Sequence, residues 1–484
     1  MEEIGLPLNL YGKKYKYKYL ALYHSLRDFI LSGKLNDGFR LPSTRDMAKR
    51  YSLSRGIVNQ VYEMLAADGY VHTKEGSGTF VTNPSITSFE KKEIVTPQYQ
   101  LSSWGRRLPY DHDIKSSNGE KPALLVDFSN RDLPLQKFPI VEWKRAMKQG
   151  MNDLDYLLEN EEPDPIGYPP LRQEIANHLN VSRGMNVSPD HIVIVNGSVH
   201  AMAILAHLLV DQGEEILLQN PSYVRLRNMI ETVGGIPKAI PEENGMIKLD
   251  DMTSQVVYVT PSNQYPTGKV MNLEERLHLL QWASENNAVI IEDDIDSIFR
   301  RIGRPIEPLK VLDEEDRVVY LGTFAFTLLT PLRIGYAILP EKLLPHFLHA
   351  KYIFEPFSTG LLEQAAIAKF MGDGSYGRHI RKMRRLYNRR YTILRGLFDN
   401  YLPNAFTWSG SDTGMYLFGE WNHSKESYAL FQKQCYNNGL IWSDPSRYFF
   451  EEMHPCAIFF FTDIEEKKME EAVKLMGDIY NRIL

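Results

Sequence analysis

The sequence has little cysteine, no long apolar run and no strong charge of one sign. Two cysteines, Cys435 and Cys456, occur in 484 residues, which excludes a disulfide scaffold and fits a reducing compartment. His454 stands near Cys456, but no paired ligand spacing completes a zinc site. The expectation is no metal and a buried structural thiol. No stretch approaches the ~20 apolar residues of a membrane span, and the amino terminus has no apolar signal core. A cytoplasmic protein without membrane contact is expected. The net charge of −6 alone gives no reason to expect nucleic acid. Its distribution says more. Residues 1–84 hold 12 Lys and Arg against 8 Asp and Glu, or +4, which leaves −10 for the rest. A basic head on an acidic body permits DNA binding by the head.

What is present suggests two or more domains, at ~100–200 residues per domain. The first is read over about residues 13–84. Leu22, Leu26, Phe29 and Ile30 fall on one helical face, and Gly33 stops the helix. Pro42 then forces a break, and Ser43-Thr-Arg-Asp46 has the spacing of a capping box for a second helix burying Met47 and Ala48. Ser54 caps a third helix, with Ile57, Val58, Val61 and Leu65 inward and Arg55, Asn59 and Gln60 left outward. Two short strands, Tyr70–Thr73 and Thr79–Val81, flank a turn at Gly76-Ser-Gly78. This is the pattern of a winged helix-turn-helix.

Those residues resemble the GntR family. The match runs through Leu41-Pro-Ser-Thr-Arg-Asp46, Leu53-Ser-Arg55, the helix through Leu65, Asp68-Gly-Tyr70 and Gly76-Ser-Gly-Thr-Phe-Val81, in order. A helix fits the major groove, where arginine and asparagine read base edges, and amides at helix starts hold phosphates. The resemblance implies that Ser43, Arg45, Ser54 and Arg55 contact double-stranded operator DNA. Asn59 and Gln60 would lie on the recognition face, with Lys74 and Gly76 at the wing.

Residues 85–125 show no sustained period and read as a linker, with Pro97, a polar run at 116–120 and Pro122, and with local packing around Leu101, Trp104 and Leu108. From about 126 to 484, apolar runs alternate with amphipathic helices: Ile192–Val195, Glu215–Gln219, Gln255–Val259, Val289–Glu292, Val318–Leu321 and Ile334–Leu339. The alternation predicts an α/β domain with a mostly parallel sheet, whose ligands bind at the carboxyl ends of strands. Asn196-Gly197-Ser198 follows a strand and opens a helix, a place that suits a phosphate.

The large region resembles fold-type I pyridoxal-phosphate aminotransferases, in the form seen in MocR-type transcription regulators. The resemblance rests on Ile166-Gly-Tyr-Pro-Pro-Leu-Arg172, Pro221-Ser-Tyr223, Pro261-Ser-Asn-Gln-Tyr-Pro-Thr-Gly268, Ile291-Glu-Asp-Asp-Ile-Asp296 and Leu321-Gly-Thr-Phe-Ala-Phe-Thr-Leu-Leu-Thr-Pro-Leu-Arg333. It implies a cofactor pocket of Gly197, Ser198, Tyr223 stacked on the pyridine, Asn263, Asp293 on the pyridine nitrogen, and Thr323 and Arg333 on the phosphate. The departures cluster in one place. Phe326 stands where the family's lysine holds the cofactor as a Schiff base, and phenylalanine has no amine. Ala325 replaces a serine, and Ile295 a tyrosine. Asp463 aligns with the arginine that clamps the substrate carboxylate, and an aspartate would repel that group.

The expectation is therefore a homodimeric DNA-binding regulator without catalytic residues, sensing a small effector. Two readings of the pocket stay open. Pyridoxal phosphate or a relative binds without a covalent bond, or Phe326 and Ile295 fill the space and the domain only dimerises. An aminotransferase fused to a DNA reader is the rival from another class.

Overall fold

In a computed structural model that describes residues 5–6, 11, 14–82, 100–108, 124–153, 164–243, 245–301, 306–409, 414–451 and 453–483, the head is organised by its caps. The helix α1 (Lys18–Leu31) buries Leu22, Leu26 and Ile30 completely. Pro42 ends the extended entry, and α2 (Thr44–Arg50) begins at Ser43. Ser43 Oγ accepts the Asp46 amide at 3.1 Å and donates to Asp46 Oδ2 at 2.6 Å. The expected capping box is thus met differently. The Asp46 carboxylate takes a hydroxyl, being one methylene shorter than the glutamate that reaches back to the cap amide. The longer residue does so elsewhere: Asn272 and Glu275 form a full capping box. In α3 (Arg55–Ala67), Ser54 Oγ accepts the Ile57 amide, and Val58, Val61 and Leu65 are fully buried. Strands β1 (Val71–Lys74) and β2 (Gly78–Val81) pair antiparallel. Phe39–Leu41 adds backbone bonds to β2, which ties the wing to the start of α2.

The chain divides into two compact units, Met1–Gln100 and Leu101–Leu484. Most of the segment read as a linker, with Pro97, Pro122 and the run at 116–120, lies outside the described residues. What is described corrects the expectation of a local core. Residues Ser103–Arg107 form one helical turn, and Leu101, Trp104 and Leu108 are exposed. The turn is held instead by Arg107 Nε, which donates to the Thr232 carbonyl at 2.9 Å.

The large unit is built on a seven-stranded sheet. Its strands are β3 (Ile192–Val195), β4 (Glu215–Leu218), β5 (Ile236–Ala239), β6 (Val256–Val259), β7 (Val289–Asp294), β8 (Val318–Thr323) and β9 (Gly335–Ile338). They lie in the order β3-β9-β8-β7-β6-β4-β5. Only β9 runs against its neighbours, β3 and β8; the other pairs are parallel. The strands are apolar throughout because both faces are covered. Successive residues divide between the layers: Ile192 and Ile194 enter one core cluster, Val193 and Val195 another.

This topology collects the loops that carry chemistry. Four parallel strands end at one edge, giving Gln219 after β4, Thr260 after β6, Asp293 in β7 and Thr323 at the end of β8. Strand β3 ends there too, before Gly197 and helix α4 (Ser198–Leu209). Because β9 is antiparallel, its beginning lies at the same edge, which brings Arg333 alongside Gly197. A smaller sheet of β10 (Phe406–Trp408), β11 (Tyr416–Trp421) and β12 (Cys456–Phe460) adds Tyr416 and Phe460 to the cavity lining. Cys435 and Cys456 are free and buried, and burial pushes the Cys456 thiol up to about 12. Among the described residues, no helix is long and apolar enough to cross a membrane.

Candidate functional site

The head offers one basic, polar face. Ser43, Arg45, Ser54, Arg55, Asn59 and Gln60 are all exposed, at the starts of α2 and along α3. Arg55 Nε donates to Thr44 Oγ1 at 3.4 Å, so the two helix starts lie side by side. Lys74 and Gly76 are exposed at the hairpin, whose turn uses left-handed backbone at Gly76. Arg40, which the sequence reading did not single out, lies beside the wing. A Cβ at Gly78 would lie 2.9 Å from Arg40 Nε, so that glycine is what lets the guanidinium lie against the wing.

In the large unit, the eight pocket residues expected from the sequence line one cavity of about 150 Å³. That is about the size that admits one benzene ring. At one end, Gly197 adopts φ +74° and opens α4. A Cβ there would sit 2.9 Å from Arg333 Nη2. The missing side chain therefore admits the guanidinium to the helix start, where amides and the helix dipole favour an anion. Arg333 itself holds left-handed backbone, φ +52°, and is exposed. Ser198 and Thr323 complete this end. Thr323 Oγ1 accepts the Ala325 amide at 3.1 Å, which shapes the loop leading to Phe326.

The middle of the cavity is governed by Asp293. Its Oδ2 accepts the Tyr258 hydroxyl at 2.7 Å, and its Oδ1 is buried with no hydrogen-bond partner. Burial pushes this carboxyl up to about 7, with Asp294, Asp296 and Glu292 adding in the same direction. An orphaned acceptor in that position calls for a donor from a ligand. Asn263 Nδ2 donates to Asp296 Oδ1 at 2.6 Å rather than into the space. Tyr223, at the start of the helix Val224–Val233, stands half-buried in the wall. Phe326 and Ile295 also line the wall, both half-buried.

The alignment of Asp463 does not hold. Strand β12 ends at Phe460, and Phe460 is its residue in the cavity. Asp463 lies beyond the strand end, exposed, in a separate cleft with Arg389 and Arg390. An ungapped alignment of an all-apolar strand has no polar mark to fix its register. Tyr258 and Arg131 are among the cavity residues that the sequence reading missed. Tyr258 sits in the apolar run of β6, where only its hydroxyl's need for a partner could have marked it. Arg131 comes from the irregular segment Ser129–Asp132, which has no period. Its Nη2 donates to the Tyr448 hydroxyl at 3.2 Å and to that of Tyr265.

The residues fit a phosphorylated pyridine in two respects, the anion cup and the unpaired Asp293 oxygen. They do not fit a covalent anchor: among the described residues lining the cavity there is no lysine.

Comparison with known proteins agrees with this division. The model of bacterial regulatory proteins of the gntR family matches residues 18–81. That of aminotransferases class I and II matches residues 125–456. The chain is 33% identical to the probable rhizopine catabolism regulatory protein MocR of Rhizobium meliloti, over 95% of this chain and 93% of that one. It is 30% identical to the pyridoxine biosynthesis transcriptional regulator PdxR of Corynebacterium glutamicum, over 79% of each. A multiple substrate aminotransferase of Thermococcus profundus shares the fold, with a TM-score of 0.69 at 20% identity over 79% of this chain and 98% of that one.

Proposed function

Because the chain belongs to the MocR-type GntR regulators, in which a DNA-binding head is joined to an aminotransferase class I and II domain, we propose that its large domain senses a phosphorylated pyridine without catalysis and without a covalent bond. The chain is a DNA-binding transcription regulator. The observation that carries the sensing reading is the cavity itself. It keeps the anion cup and the unpaired Asp293 oxygen, and it presents Phe326 rather than an amine.

Pyridoxal phosphate or a close relative is the ligand of choice. Gly197, Ser198, Thr323 and Arg333 would hold its phosphate, Tyr223 would flank its ring, and Asp293 would hold its protonated nitrogen. Bound, such a ring supplies an electron sink. Transamination also needs an amine to release product and to carry the proton at the substrate carbon, and Phe326 does neither. The Corynebacterium relative is named for pyridoxine biosynthesis, which supports a ligand of this class.

Arg45, Arg55, Asn59 and Gln60 would read operator DNA in the major groove, with phosphates at the Ser43 and Ser54 caps and Lys74 and Gly76 at the wing. A homodimer would present two heads. Ile353 and Phe354, 75% and 70% exposed on the helix Leu344–Phe354, support a second copy as their cover. The ligand would act by binding one arrangement of the heads more tightly than another.

Calorimetric titration of the full chain with pyridoxal phosphate tests the reading. Saturable binding is expected, with no turnover in a transamination assay using common amino acids. No binding at millimolar ligand, or turnover, would overturn it. Arg55→Ala should weaken operator binding by about 1–3 kcal/mol, and unchanged affinity would refute the docking.

A further inference from the structure

Arg131 is a cation at a cavity wall with no anion beside it. Arg131 is half-buried, and two buried arginines of this unit are placed differently. Arg183 meets the Asp294 carboxylate at 2.6 Å, and Arg276 donates to the carbonyls of Met271, Pro261 and Glu307. Arg131 has neither a carboxylate, as Arg183 has, nor a set of carbonyls, as Arg276 has. Its Nη2 donates to the hydroxyls of Tyr265 and Tyr448. Its guanidinium carbon lies 5.0 Å from the ring centres of both Tyr265 and Phe460. Among the described residues, no carboxylate lies within ion-pair distance of it, and Nε and Nη1 have no protein acceptor.

A guanidinium cannot shed its charge. Half-buried without a counter-ion, it is held at some cost that a bound anion would relieve. The two rings and two hydroxyls fix its plane and leave three of its five N–H donors unspent. That is the arrangement that receives a planar anion with two oxygens. The same cavity holds the Asp293 Oδ1 that lacks a donor and the Arg333 end that lacks an anion. Strand β12 contributes Phe460 there and no cation.

We propose that Arg131 is the carboxylate-binding residue of the pocket, and that the effector is a phosphopyridoxyl compound carrying a carboxylate arm. This rests on the reading that the pocket takes a phosphorylated pyridine. The phosphate lies in the Gly197–Arg333 cup, the ring nitrogen donates to Asp293, and the carboxylate meets Arg131. A ligand without the arm leaves the Arg131 charge unmatched and binds more weakly.

The test compares two probes by calorimetry on the full chain: N-phosphopyridoxyl-L-alanine and N-phosphopyridoxylethylamine, which lacks only the carboxylate. The first should bind about 10- to 100-fold more tightly. In Arg131→Met the two should fall within about twofold of each other, and Arg131→Lys should restore part of the difference. Equal affinity of both probes for the unaltered chain overturns the carboxylate assignment and leaves the proposed function standing. Failure of both probes to bind overturns the proposed function, and the assignment with it. If Arg131→Met does not fold, the comparison on the unaltered chain decides.

Discussion

Asp293 and Asp294 are neighbours on one strand, yet they face two different situations. Asp294 points into a small cavity where Arg183 meets it at 2.6 Å and the Tyr320 hydroxyl donates at 2.7 Å. Both bonds fall on Oδ2, and both come from the protein. Asp293 points the other way, into the space it shares with Arg131, and only Tyr258 serves it. Alternation along a strand puts adjacent side chains on opposite faces. One face of β7 thus closes an ion pair that holds the fold, and the other leaves opposite charges apart. The pair itself is closed, although Arg183 Nε and Nη1 are buried without partners. Charges kept separate and undersupplied describe what a ligand must bring.

The largest expected effect lies on the closed side. Arg183→Met leaves Asp294 buried without its cation, and should cost about 3–5 kcal/mol of stability in chemical denaturation. A loss under about 1 kcal/mol would erase the contrast between the two faces.

On the open side the sign reverses. Asp293→Asn removes an undersupplied charge, so the ligand-free chain should be as stable as the parent or more so above pH 7. Affinity for pyridoxal phosphate should nonetheless fall by about 1.5–3 kcal/mol, the worth of a hydrogen bond to a charged group. If stability and affinity fell together, Asp293 would belong with Asp294 as a structural group.

The pH dependence sharpens the same point. The folded Asp293 carboxyl titrates at about 7, above the ordinary value for aspartate, because of burial first and its acidic neighbours next. Between those values the folded chain holds more protons than the unfolded one. Stability contributed by the protonated carboxyl is therefore present at low pH and lost as pH rises toward 7. Asp296 and Glu292 act with the same sign, up to about 6 and about 7. Burial lowers His178 and His379 to about 4, and these act with the opposite sign over the same range, so the check is the difference between parent and variant: the three carboxyls contribute a fall in the denaturation midpoint from about pH 4 to 7. The fall should be shallower by one group's share in Asp293→Asn.

The smallest effect is at the loop. Thr323→Val removes the acceptor for the Ala325 amide and should cost about 1 kcal/mol of stability, with a weaker grip on phosphate measurable by calorimetry.

Much of this was legible in the sequence, for reasons that differ by region. The head's boundaries follow from Pro42, Ser43 and Ser54, whose backbone and side-chain chemistry act within a few residues. The strand positions of the large unit follow from apolar runs between turn residues, and the sheet is mostly parallel as those runs imply. The cavity residues Gly197, Asp293 and Arg333 come from strand ends and the loops beside them, where glycine, acid and arginine stand out against apolar surroundings. Arg131 was illegible because its placement depends on Tyr265 and Tyr448, 134 and 317 residues away. Asp463 was misplaced because five apolar residues, Cys456–Phe460, give a strand no internal mark of register.

The antiparallel β9 also sets an order on how this pocket comes into being. In the sheet, β3 is bonded to β9 alone, and Val195 pairs with Gly335, about 140 residues later in the chain. A chain emerging from the ribosome makes Gly197 and Ser198 early but cannot seat them until Arg333 and the strand after it have been synthesised. Closing a contact across so long a separation is entropically slow. The phosphate cup is therefore a late product of folding, and a nascent chain cut short of β9 carries a complete DNA-binding head with no working sensor attached.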